Sequence, residues 1–265
     1  MVLAVFRAAG LSIPPPPAWA RWISPLVLLV LWQVASMTGA LPDTTIGSPS
    51  EIARTAWDLI RTGQYSDALV VSLRRVALGV VFGVALAVVL GLIAGLSRWG
   101  DAIVDPPMQM ARTIPLYGVI PLFIVWFGIG ETTKVILIAL GVAVPLYINL
   151  TAALRSIDPE LREVSATLHL TAWERLRYMI FPGALPGALV GLRLSLAVAW
   201  LVLIVAETVN ADAGIGFIVN NARTFLQNDI IVVGLLTYAI LGLATDFLVR
   251  LAERWALRWQ DGPAR

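Results

Sequence analysis

The chain has 265 residues, 58% of them hydrophobic and only 14% charged, whereas an average soluble chain is about 45–50% apolar and about 25% charged. So few charges cannot cover a water-soluble domain of this size, and a membrane protein is expected. A net charge of +2 gives no nucleic-acid footprint, and one histidine with no cysteine excludes histidine-cluster metal centres, thiol catalysis and disulfides.

An all-α integral membrane protein with six spans follows, each of about 20 mostly apolar residues. The spans are read at 22–37, 76–96, 108–127, 134–153, 185–208 and 230–251. The first is short, with Trp19, Arg21 and Trp22 as an interfacial anchor. The prolines at 14–17 and the lack of a small-residue cleavage site argue against a cleaved signal peptide.

After the first span, Ser48-Pro49-Ser50-Glu51 is a helix start with a capping box. Ile52, Ala53, Ala56, Leu59 and Ile60 share one face of that helix, and Glu51, Arg54, Asp58 and Arg61 the other. It is expected to lie along the outer membrane surface or to cover neighbouring spans. In the second span Gly79, Gly83, Gly91 and Gly95 form small-xxx-small pairs, which close helix packing explains. The third span follows Pro106-Pro107, carries Arg112, and is interrupted by Pro115 and Pro121. Such a break either exposes carbonyls to a substrate path or is a plain kink.

Orientation follows from the cations near span ends. With the N-terminus inside, eleven of the nineteen fall on the cytoplasmic side and six outside, namely Arg54, Arg61, Arg74, Arg75, Lys134 and Arg223. Arg112 and Arg193 lie near or within spans. Both termini are therefore expected in the cytoplasm.

The segment between spans four and five, residues 156–182, holds two helix-start signals. Asp158 caps a helix that opens on Pro159 and Glu160, and Thr171 with Glu174 forms a capping box. The break falls at His169-Leu170, and the second helix is expected to end near Pro182. This is a short helix, a tight turn and a second helix: an ordered docking element.

Here the sequence resembles the importer permeases of the ABC superfamily. Their cytoplasmic motif places a Gly six residues and a Pro nineteen residues after the Glu of E-A-A. Glu163 and Pro182 keep that spacing, with Ile180 at the apolar position, while Val164-Ser165 replace the alanines and His169 the glycine. A left-handed residue is expected at His169, a conformation histidine tolerates better than a branched residue does. Gly95-Leu-Ser-Arg-Trp99, Arg112-Thr-Ile-Pro115, Trp126-Phe-Gly-Ile-Gly-Glu131, Gly191-Leu-Arg193 and Ala206-Glu207 extend the likeness from about Trp19 to Trp259, toward the nitrate/sulfonate/taurine branch.

The resemblance implies a type I importer fold and a coupling helix docked on a cytoplasmic ATPase. Glu160, Glu163, Ala166 and Thr167 are then the docked surface. It also implies ATP and Mg on two copies of that partner ATPase, a second permease copy as a homodimer, and an extracytoplasmic solute-binding protein. The expected home is a bacterial inner membrane, and the expected cargo a small anion or another small molecule such as a thiamine-precursor pyrimidine. The chain has no phosphate-binding loop of its own: its one lysine, Lys134, lacks the glycine context. Residues 1–18 are read as a cytoplasmic segment, 19–259 as the permease domain and 260–265 as a tail.

Arg193 in span five is a candidate either for substrate contact or for an ion pair with Asp246, which also has Arg250 four residues on. Glu207 and Asn210, near the outer end of span five, are candidates for the entrance, with a snorkelling carboxylate as the plain alternative for Glu207. Asn220, Asn221, Arg223, Gln227, Asn228 and Asp229 read as an outer-surface loop or a binding-protein contact. An ion-coupled transporter would call for more intramembrane carboxylates. An intramembrane serine hydrolase would need a histidine within a span, and an aspartyl one a second aspartate beside Asp246.

Overall fold

A computed structural model describes residues 23–41 and 46–259, which contain helices and no strand. The expected anchor at Trp19, Arg21 and Trp22 and both terminal segments lie outside the described residues. In chain order the helices are α1 (Ile23–Met37), α2 (Pro49–Arg61), α3 (Gln64–Leu96), α4 (Arg98–Thr113), α5 (Leu116–Phe127) and α6 (Glu131–Arg155). Then come α7 (Pro159–Thr167), α8 (Ala172–Arg175), a π-helical turn (Leu176–Ile180), α9 (Phe181–Asn210), α10 (Ile215–Thr224) and α11 (Asn228–Ala256).

Among the described residues, four helices are long and apolar enough to cross a membrane, and the bent pair α4–α5 makes a fifth if counted as one span. The fifteen residues of α1 reach about 22 Å, short of a hydrocarbon core of about 30 Å.

α6 is the central post, packed between α3 and α9. A Cβ on Gly83 would stand 2.5 Å from the Ala139 carbonyl oxygen, and one on Gly91 2.8 Å from Leu150 Cδ2. Gly79 and Gly95 meet Ile138 and Leu154 in the same way. From the other side Gly187 and Gly191 of α9 press on Ala153 and Asn149. In lipid no hydrophobic effect drives helices together, so small residues that let backbones approach do much of that work. The glycine stripe in α3 is thus the packing surface its spacing predicts. Leu137, Ile138 and Val142 of α6 and Ala199 and Leu203 of α9 form the buried centre.

Three expectations are corrected and one is extended. The helix of the second span runs beyond the expected 76–96, starting twelve residues earlier at Gln64. Arg74 and Arg75 ended the apolar run in sequence, yet Arg75 is buried and neutralised by other helices. The third span is interrupted as expected, with α5 bent by 108° from α4. The break lies at Ile114-Pro115 alone, since Pro106, Pro107 and Pro121 sit inside helices. A residue before proline is pushed out of the α region, and Ile114 is extended (φ −79°, ψ 122°).

The helix that starts at Thr171 does not stop near Pro182. It widens into the π-helical turn, where Phe181 N–H reaches back five residues to the Leu176 carbonyl, and continues as α9. The wider turn carries the chain past Pro182, which has no N–H to donate. Finally, residues 215–224 of the expected outer loop are helical. Ile215, Ile218, Val219 and Ala222 follow the helical period, and Val219 packs on Gly234 of α11.

Candidate functional site

One end of the bundle carries the end of α3, the start of α4, the end of α6, α7, α8 and the start of α9. There the Glu160 N–H donates to Asp158 Oδ1 at 2.9 Å, capping α7 behind Pro159. α7 closes with Leu170 N–H on the Ser165 carbonyl at 3.1 Å and His169 left-handed at φ 51°. That bond is the six-to-one closure of a Schellman turn, which demands a left-handed residue after the C-cap.

The turn runs directly into the second cap. Thr171 accepts from Glu174 N–H at 3.3 Å, and the Glu174 carboxylate accepts from Thr171 N–H at 2.8 Å. Glu160, Glu163, Thr167, His169 and Thr171 are exposed, Glu174 and Pro182 partly so, and Ala166 lies in the last turn of α7. Leu161, Val164, Leu168 and Trp173 are exposed beside them. Arg155 ties this end together through Asp101 and Asp105 of α4, and Tyr147 donates to Asp105 at 3.0 Å.

The opposite end holds a buried charge network whose hub, Arg75, was read as an outer-surface cation. Arg75 donates from Nη1 to Glu207 Oε1 at 2.7 Å and to the Ala213 carbonyl at 2.6 Å. Its other edge clasps Glu131, with Nε on Oε2 at 2.7 Å, and Lys134 Nζ meets the same carboxylate at 3.0 Å.

Glu207 does not snorkel: it is 1% exposed, enclosed by neighbouring helices. Ser72 Oγ donates to it at 2.8 Å, Gly216 N–H at 2.8 Å and Tyr238 at 3.2 Å, while Ile215 N–H donates to Ser72 Oγ at 3.0 Å. Two cations and two carboxylates cancel, so α3, α6, α9, α10 and α11 are joined at no net charge. The sequence signal for this network was the neutral sum of Arg75, Glu131, Lys134 and Glu207, all outside or at the rim of the drawn spans. Asn210 is the last residue of α9.

The remaining path candidates stand apart from both ends. Arg112 and Pro115 are exposed at the α4–α5 elbow, and Pro121 is exposed within α5. Leu116, just past the elbow, lies against Gly141 midway along α6. Arg193 pairs with Asp246 across α9 and α11, Nε to Oδ1 at 2.5 Å, and Arg250 holds the other carboxylate oxygen. The pair is half-open, with side chains 43% and 26% exposed. At the end that carries the charge network α2 has the predicted capping box at Ser48 and Glu51 and buries Ile52 against Tyr65 and Val233. Trp57 and Ile60 stay exposed, with Arg61 5.1 Å over the Trp57 ring.

Known proteins match this arrangement. Residues 83–258 fit the family described as binding-protein-dependent transport system inner membrane component. The chain is 42% identical over 240 residues to the aliphatic sulfonates transport permease protein SsuC of Escherichia coli, covering 91% of each chain. It is 30% identical over 238 residues to the taurine transport system permease protein TauC of the same organism, covering 88% of this chain and 86% of that one. Among solved structures, an amino acid ABC transporter superposes with a TM-score of 0.62 at 20% identity, over 74% of this chain and 95% of that chain. That likeness shows the fold alone, the type I importer fold. The chain therefore belongs to the binding-protein-dependent transport system inner membrane component family, as a multi-pass bacterial ABC importer permease of the sulfonate/taurine branch.

Proposed function

We propose that this chain is the membrane path for small organosulfonates, driven by ATP-powered alternating access. The observation that carries this is the α7–α8 element: two capped helices about a strained turn, exposed at one end and running without a stop into α9. A push on α7 is then delivered to the helix that holds Arg193 and Glu207. Closure of two cytoplasmic ATPases, holding ATP and Mg, supplies that push and shifts the bundle between inward-open and outward-open states.

The sulfonate and taurine relatives support the cargo. α1, α3, the bent α4–α5 pair, α6, α9 and α11 serve as six spans, the short α1 by local thinning of the bilayer, with both termini and α7 in the cytoplasm. Two copies form the path, and a solute-binding protein delivers to the end that carries α2 and α10.

Purification of the tagged permease should bring the ATPase with it. A thermal-shift screen of the binding protein should show stabilisation by alkanesulfonates and taurine above nitrate or a pyrimidine. Glu163→Arg or deletion of residues 159–168 should leave the bundle folded and abolish stimulated ATP hydrolysis together with uptake. Full coupled transport by the deletion rejects the assignment.

A further inference from the structure

A cleft of about 550 Å³ runs between α9 and α11. Ala197, Trp200 and Leu201 line it from one side, and Leu235, Ala239 and Gly242 from the other. Trp200 Nε1 donates to Thr245 Oγ1 at 3.1 Å along its flank, and a Cβ added to Gly242 would meet no atom within 4 Å. The charged end is Arg193 with Asp246.

Arg250 also binds Asp246, so this end carries one surplus positive charge. Arg193 uses only Nε, and its two Nη groups bond nothing among the described residues.

Depth decides what this face can meet. Arg193 is the thirteenth residue of the thirty in α9, about 18 Å from its start. A core of about 30 Å centred on α9 begins roughly 7 Å from that start, so Arg193 lies well inside it. An arginine there is costly against acyl chains, so its side chain, 43% open, is expected to face a polar path.

We propose that this cleft is a transit site for alkanesulfonates, with the sulfonate oxygens on the Nη groups of Arg193 and the alkyl chain along Ala197, Trp200 and Gly242. The inference rests on the cargo proposed above and adds the place where it is held. A guanidinium fork matches two oxygens of a tetrahedral anion. When Arg193 turns to the ligand, Asp246 keeps Arg250, so no buried charge is orphaned. Each methylene that enters the apolar part strengthens binding about fourfold, which makes the site sensitive to chain length.

The test is uptake of radiolabelled methanesulfonate and hexanesulfonate into proteoliposomes holding the complete complex with its ATPase and binding protein. The ratio of variant to wild type for each ligand cancels the selectivity of the binding protein. Gly242→Leu fills empty space and should cut hexanesulfonate uptake at least about tenfold, leaving methanesulfonate within about twofold and ATP hydrolysis still stimulated. Arg193→Gln should cut both ligands about tenfold or more, with partial rescue by Arg193→Lys.

An equal effect of Gly242→Leu on both ligands overturns the proposal, as does no effect on either with phosphatidylglycerol retained through purification, which makes the cleft a lipid seat. Loss of assembly in Gly242→Leu alone also overturns it, assigning the cleft to a second copy. A wild-type complex that imports neither sulfonate rejects the proposed cargo instead.

Discussion

The buried network allows a ranking of three substitutions that sequence would treat alike. Glu207 is fully enclosed at its side chain, while the Glu131 side chain is 62% exposed, although both bind Arg75. Removing one partner of a buried ion pair costs about 3–5 kcal/mol, because the survivor keeps its desolvation without its countercharge. A largely exposed pair contributes about 0–1 kcal/mol.

For a chain of this size each kcal/mol moves the thermal midpoint by roughly 2–4 °C. Arg75→Met and Glu207→Gln should therefore each lower the midpoint in nanodiscs by about 6–20 °C, and Glu131→Gln by less, because its carboxylate is already open to solvent although Lys134, 4% exposed, loses its carboxylate partner. Arg75→Met/Glu207→Met should lose less than the sum of the two single losses, since no charge is stranded. A loss remains because Gly216 N–H, Tyr238 and the Ala213 carbonyl lose partners, at about 1–3 kcal/mol each. The assay is tryptophan fluorescence at a fixed scan rate, which keeps irreversible unfolding comparable between variants. A double variant whose loss equals the sum of the single losses would refute direct coupling of Arg75 and Glu207. Equal losses for Glu131→Gln and Glu207→Gln would refute the distinction by burial.

Three other outcomes follow from local geometry. His169→Gly relieves a left-handed side chain that costs about 1–2 kcal/mol, so amide exchange at Leu168 and Leu170 should slow about fivefold to thirtyfold; His169→Val should accelerate it, and unchanged exchange in both would reject the turn. Gly83→Ala drives a methyl into the immobile Ala139 carbonyl and should cost about 1–3 kcal/mol in the same thermal assay. Glu51 has its carboxyl pKa lowered by the Ser48 backbone N–H and then its hydroxyl. Its stabilising contribution to α2 is thus complete above the ordinary glutamate pKa of about 4.3 and lost as pH falls through the lowered folded value. Amide protection at Ile52 should fall on acidification in wild type and be flat with pH in Glu51→Gln.

Local chemistry was legible wherever a few neighbouring residues decide it. The caps at Ser48, Asp158 and Thr171 form as their spacing dictates, and the position six residues after Glu163 is left-handed although it holds histidine. Residue 114 is extended because proline follows it. The π-helical turn was not legible, since Pro182 reads equally as a stop or as a residue that a wider turn accommodates. α10 was hidden by Asn220, Asn221 and Arg223, which drew attention from the apolar period of Ile215, Ile218, Val219 and Ala222.

Arg75 and Arg193 show why charges mislead in opposite ways along one chain. A hydropathy window stops at an arginine because it costs the charge against lipid, with no knowledge of what another helix brings. Arg75 finds Glu131 and Glu207, 56 and 132 residues away, so α3 continues through it and the charge becomes an internal joint. Arg193 lies in the middle of an apolar run that the window passes over, yet its carboxylate is shared with Arg250 and its Nη groups stay open. One arginine is saturated, and its removal is expected to be read as stability. The other keeps donors to spare inside the hydrocarbon depth, and its removal is expected to be read as transport.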